Sequence, residues 1–131
     1  MGAREQLERH FELWAAGHGD PDPAIKEAWL DLFDPACTVE EPVGSEVLVG
    51  AQSTGWDMGH GPDRKVFLAP RLIVAAASDA EAATQVGIRL VTHRGTTDLD
   101  ALGVWRFAPD GRIAGSRIFV ASAAMGPDAW T

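Results

Sequence analysis

Between Lys65 and residue 122 the chain repeats one pattern four times. Segments near 65–76, 83–93, 97–108 and 112–122 carry many Val, Ile, Leu, Phe and Thr, with turn residues between them. Such runs predict strands. Arg94-Gly95 fits a tight hairpin turn, and Pro109-Asp110-Gly111 fits a second. Within the central pair the pattern has period two. Val86, Ile88, Leu90, Leu99, Ala101, Gly103, Trp105 and Phe107 share one face, which is continuous, apolar and aromatic. That face must be the inner one, and another layer must cover it.

A two-residue turn at Arg94-Gly95 sets His93 opposite Thr96, Val91 opposite Asp98, Arg89 opposite Asp100 and Ile88 opposite Ala101. The outer face then holds Arg89, Asp98, Asp100 and Arg106, with Arg89 and Asp100 as a cross-strand ion pair. Parity therefore removes Asp98 and Asp100 from the candidate catalytic groups.

The covering layer lies upstream. Residues 3–17 read as a helix with Leu7, Phe11 and Trp14 at helical spacing, stopped by Gly17 and Gly19. Asp22 caps a second helix that has Pro23 at its first position and runs to about Phe33, with Ile25, Trp29, Leu32 and Phe33 on one stripe. Four glycines between Gly50 and Pro62 make any helix there short and weak. Helices first and an antiparallel meander afterwards give an α+β layout. Helices packed on the concave face of a curved antiparallel sheet form a cone, with residues 1–131 as a single domain.

Between the two layers stands TVEEPVGSE, Thr38 to Glu46, with adjacent carboxylates before a proline in an apolar neighbourhood. Pro42 forces Glu41 into an extended or turn conformation, so consecutive side chains point opposite ways. Only one of Glu40 and Glu41 faces a pocket; the other faces water. A carboxylate at the mouth of an apolar cavity has its pKa pushed upward by desolvation, into the range useful for proton transfer.

Charge and cysteine usage exclude several classes. The net charge of −8 opposes binding to nucleic acid or to anionic membrane surfaces, and no run of Lys and Arg offsets it. Cys37 is the sole cysteine, so it reads as a small buried core residue. The four histidines, His10, His18, His60 and His93, have no metal-ligand spacing; His18 and His60 fall in glycine loops and are expected to be solvated. Charged residues at 1–12 and the lack of a long apolar run predict a soluble, cytoplasmic protein with no leader.

Two N-terminal helices, TVEEPVGSE, Gly50 and a meander ending GVWRFAPDGRI together resemble the ketosteroid isomerase family, within the SnoaL-like, nuclear transport factor 2-like (cystatin-like) cone fold. The likeness covers most of the chain and is strongest at 38–46. In such isomerases an Asp immediately before the proline shuttles a proton beside a conjugated carbonyl; the resemblance implies that Glu41 is this base, with no cofactor and no metal. The family holds the enolate oxygen with a Tyr on the first helix and a protonated Asp on a strand, a division of labour that is a standard worked case. This chain has no tyrosine, and the strand position is Gly103. The helix position falls near His10, with Phe11 or Trp14 as alternatives. Candidate replacement donors are His10 and the indole N–H of Trp14, Trp56 or Trp105.

The resulting expectation is a proton-transfer enzyme on a hydrophobic, steroid- or polyketide-like carbonyl compound, with Glu41 and His10 catalytic. Trp14, Trp56, Val86, Ile88, Leu90, Ala101, Gly103, Trp105, Phe107 and Ile118 are expected to line the substrate site, and Gly103 to widen it. A cyclase or dehydratase using the same base, and a non-catalytic binding or dimerisation module, are the alternatives. Epoxide hydrolysis of the limonene type would need Arg and Asp two apart on a strand, and no Arg-x-Asp occurs. The resemblance also implies a homodimer through the outer sheet face, with Arg89, Arg106, Arg117 and Phe119 near the contact.

Overall fold

The first helix, α1 (Ala3–Gly19), buries Leu7, Phe11 and Trp14, the stripe expected from spacing, and Ala3 with them. His10 lies in the same stripe, three residues after Leu7 and four before Trp14, and is buried with it. The computed structural model describes residues 2–120; Trp130 and the last two residues of the 112–122 segment lie outside them. Gly17 does not stop the helix, which ends at Gly19 with Asp20 as its C-cap, two residues later than expected. Gly17 has a packing role instead. A Cβ there would meet the indole of Trp56, and a Cβ on Gly59 would meet the indole of Trp14. Each glycine seats the tryptophan of the other helix, which lets α3 (Gln52–His60) lie close on α1.

The second helix, α2 (Pro23–Leu30), starts as expected, with the Asp22 carboxylate accepting from Ala24 N at 2.9 Å. It ends three residues early. Phe33 instead opens a strand, β1 (Phe33–Glu40), which the Asp34-Pro35 pair had concealed. The remaining strands are β2 (Leu48–Val49), β3 (Arg64–Ala75), β4 (Glu81–Thr92), β5 (Gly95–Phe107) and β6 (Ile113–Val120). They form one sheet in the order β2-β1-β6-β5-β4-β3. β1 runs parallel to β6, so the expected antiparallel sheet is in fact mixed.

The β4–β5 register differs from expectation by two residues. Thr92 pairs with Gly95, whose φ of +123° fits the tight turn, so the turn residues are His93-Arg94. Arg89 therefore opposes Asp98, with bonds of 2.8 and 3.1 Å. Asp100 pairs with Arg71 at 2.9 Å, across a β3 bulge and over Gly87. A slip of two conserves parity. The inner face is as expected: Val86, Ile88, Leu90, Leu99, Ala101, Gly103, Trp105 and Phe107 are all buried, and Asp98 and Asp100 are exposed on the other side. Helices on the concave face of this open sheet make an α+β cone. Among the described residues no helix is long and apolar enough to cross a membrane.

Candidate active site

Glu41 follows directly on β1, and two contacts hold its backbone on β6. On the outer side the Glu40 carboxylate accepts from Arg117 Nε at 2.8 Å and from Gly44 N at 3.1 Å. One step beyond, Val43 N donates to Ile118 O at 2.8 Å. The Arg117 hydrogen bond, then that from Gly44, holds the Glu40 carboxyl below its usual range. With Glu40 turned outward, alternation sends Glu41 inward, beside Val39, onto the wall of a cavity of about 260 Å³. The Glu41–Pro42 peptide bond is cis.

The cavity is the interior of the cone. Its base is aromatic, with His10, Phe11 and Trp14 from α1, Trp29 from α2 and Phe33 from β1. Thr54, Gly55, Met58 and Gly59 of α3 cover it. The sheet supplies Val66, Leu68, Thr84, Val86, Ile88, Ala101, Gly103, Trp105, Ser116 and Ile118, and Arg64 stands at the start of β3.

By surface area Glu41 is exposed, because the cavity reaches it; yet protein surrounds it closely enough to strip its hydration. Enclosure decides the charge. Desolvation alone pushes its carboxyl up to about 7. Among the described residues the Glu41 carboxyl has no hydrogen bond and no ion pair. His10 shows the converse. Burial lowers its pKa to about 3, so the imidazole is neutral at ordinary pH.

The indole N–H groups are mostly committed. Trp14 donates to Val66 O at 2.7 Å, Trp105 to Thr84 Oγ1 at 3.0 Å and Trp29 to His10 Nδ1 at 2.7 Å. Trp14 and Trp105 therefore line the cavity without offering it a proton. Trp56 is not on the wall at all. It lies against Gly17 and stacks on His60, with ring centroids 3.8 Å apart. Leu90 and Phe107 have the expected parity but are not on the cavity wall; both belong to the core. His18 and His60 are not solvated. Each is half-buried, and both pack between α1 and α3, with His18 Nε2 bonded to Val66 O at 2.7 Å and His60 Nε2 to Trp14 O at 2.9 Å.

Gly103 does not widen the cavity in the manner expected. A Cβ there would meet Thr84 Oγ1 and Trp105 Nε1, each at 2.7 Å, so neighbouring side chains already occupy that space. Thr84 and Ser116 also stand on the wall; neither was expected there, although carrying the alternation back from Val86 arrives at Thr84, and back from Ile118 at Ser116. The sequence put Trp29 and Phe33 on an apolar stripe but did not mark them as cavity wall, and nothing in it singled out Arg64. Among the described residues no cluster of His, Cys, Asp and Glu could hold a metal ion. Cys37 is buried, with its thiol against Gln52 Oε1 at 3.1 Å.

No family model matches this chain, and no curated protein does. Solved structures do. An epoxide hydrolase/cyclase-like enzyme of pyran ring formation in the polyether salinomycin aligns at TM-score 0.77 and 21% identity, over 95% of this chain and 94% of that one. A Mycobacterium tuberculosis protein in complex with estradiol-17beta-hemisuccinate aligns at TM-score 0.77 and 16% identity, over 96% and 99%. Delta 5-3-ketosteroid isomerase from Mycobacterium sp. aligns at TM-score 0.70 and 18% identity, over 96% and 98%. The chain shares its fold with these structures and with an NTF2-like protein of unknown function from Exiguobacterium sp. 255-15, which aligns at TM-score 0.72 and 17% identity, over 88% and 98%. At such identities the likeness concerns the fold.

Proposed function

We propose that this protein is a cofactor-free proton-transfer enzyme acting on a hydrophobic carbonyl compound, with Glu41 as general base. The observation that carries the reading is a carboxyl that has no partner among the described residues, on the wall of a largely apolar cavity, its pKa raised to about 7. There the two protonation states are close in energy, which suits a group that must take a proton and return it. The Glu41 carboxylate removes a proton from a carbon next to the carbonyl. The C–H electron pair becomes a C=C bond, and the carbonyl oxygen takes the negative charge. Collapse of this enolate returns the proton from Glu41 to another carbon, moving the double bond.

The cavity is just below the range of about 300–1,000 Å³ typical of small-molecule sites. A ring system the size of a steroid would fill it and project from its mouth. A cyclase using the same first step is the second reading. A putative polyketide cyclase from Pseudomonas putida that shares the fold favours it. The outer sheet face exposes Leu102, Val104 and Phe119 beside Arg106 and Arg117, and we propose it as the homodimer contact.

Incubation with an unconjugated enone steroid, followed by the ultraviolet band of the conjugated product, tests the reading. Wild type should turn the steroid over, and Glu41→Gln should bind it without turnover. A rate no greater than that of free carboxylate would remove the isomerase assignment.

A further inference from the structure

An enolate formed in this cavity needs hydrogen-bond donors at its oxygen, and the chain lacks both a tyrosine and a side chain at position 103. Two features of the wall have the same logic. An indole N–H can only donate. Trp29 Nε1 donates to His10 Nδ1 at 2.7 Å, so that nitrogen must offer its lone pair. The proton of the neutral imidazole is then on Nε2. No described residue accepts it, and Nε2 is not a sealed-off polar atom, so it opens on the cavity that His10 lines. Trp105 Nε1 likewise donates to Thr84 Oγ1 at 3.0 Å. That bond uses acceptor capacity of the hydroxyl and leaves its proton to be given elsewhere, and no described residue takes it. Thr84 also lines the cavity.

The two features adjoin. The His10 and Trp105 rings have centroids 5.4 Å apart. Gly103 permits the second pair, since a Cβ there would stand 2.7 Å from both Thr84 Oγ1 and Trp105 Nε1.

We propose that His10 Nε2–H and Thr84 Oγ–H form a two-donor seat for a delocalised oxyanion, the enolate of a carbonyl compound or a phenolate, and that Trp29 and Trp105 aim the two donors. His10 and Thr84 are the catalytic members; the two tryptophans are positioning residues. The inference rests on the proton-transfer reading for its purpose but not for its test. Both donors are neutral, so they stabilise charge that develops in place on an enclosed substrate.

The test is binding, read without turnover. The probe is 2-naphthol, and the background is Glu41→Gln, which removes repulsion from the carboxylate. Bound naphthol should ionise at a lower pH than free naphthol, by ultraviolet titration. Adding Thr84→Val, or separately Trp29→Phe, should weaken naphtholate binding roughly tenfold or more, since bonds to charged groups are the strong ones. Naphthalene binding should not change, and Thr84→Ser should restore the preference. Nitrogen-15 NMR should find the His10 proton on Nε2, and Trp29→Phe should give a mixture of tautomers. Naphthol that fails to bind or ionises as in water, a Thr84→Val variant of unchanged preference, or a His10 proton on Nδ1 would overturn the proposal. A protein inert toward enone steroids that still prefers naphtholate would overturn only the role of Glu41.

Discussion

Replacing Glu41 by Gln should stabilise the protein in a pH-dependent way. The folded state keeps the Glu41 proton up to about pH 7, whereas the unfolded chain releases it near 4.5. A carboxyl whose folded pKa is raised contributes stability that is fully present below the unfolded value and is lost as pH climbs through the folded one. Moving from 4.5 to about 7 costs the charged form about 3.5 kcal/mol, at about 1.4 kcal/mol per pH unit. That is a ceiling. By surface area Glu41 is open to the cavity, and screening there lowers its folded pKa and this difference together, toward about 1–2 kcal/mol. Gln keeps the shape and has no charge to desolvate. Urea unfolding of wild type and Glu41→Gln at intervals from pH 4 to 9 is the assay. The two should be close at pH 4; wild type should then fall behind by about 1–2 kcal/mol between pH 4.5 and 7 and run parallel above. A difference that does not vary with pH would refute desolvation of residue 41.

Three further outcomes follow from the same geometry. For an enone substrate, kcat/KM should rise about tenfold per pH unit below about pH 7 and level off above it, because the base must be ionised; an inflection near 4.5 would point to a different base. Gly59→Ala drives a Cβ into the Trp14 indole and should destabilise by about 1–3 kcal/mol in chemical denaturation, despite the better helix propensity of alanine. An unchanged midpoint would show that the α1–α3 seat is slack. Gly103→Ala puts a methyl 2.7 Å from both partners of the Trp105–Thr84 bond, with a similar expected cost; a variant as stable as wild type would mean that the bond contributes nothing.

The inner wall of the sheet was legible because burial there follows parity. Parity survived even a wrong hairpin register, since a shift of two residues leaves every side chain on its own face. Glu41 was legible for the same reason: two adjacent carboxylates on an extended segment cannot both face inward, and the Arg117 pairing shows which one turned out. Strand β1 was not legible. It carries Asp34-Pro35, and it pairs in parallel with β6, about eighty residues further along. Gly17 was misread as a helix breaker, because the indole it seats belongs to a different helix. His10 could be placed on the first helix, but its tautomer depends on an indole nineteen residues away in sequence. Nor could local pattern foretell that Trp14 and Trp105 spend their N–H groups on Val66 and Thr84.

The state of one carboxyl group decides most of this. Carbon-13 NMR titration of the Glu41 side chain, assigned by loss of its resonance in Glu41→Gln, measures it directly. A midpoint raised well above 4.5, toward pH 7, is the expected result, and a midpoint near 4.5 would contradict the assignment of Glu41 as an enclosed base.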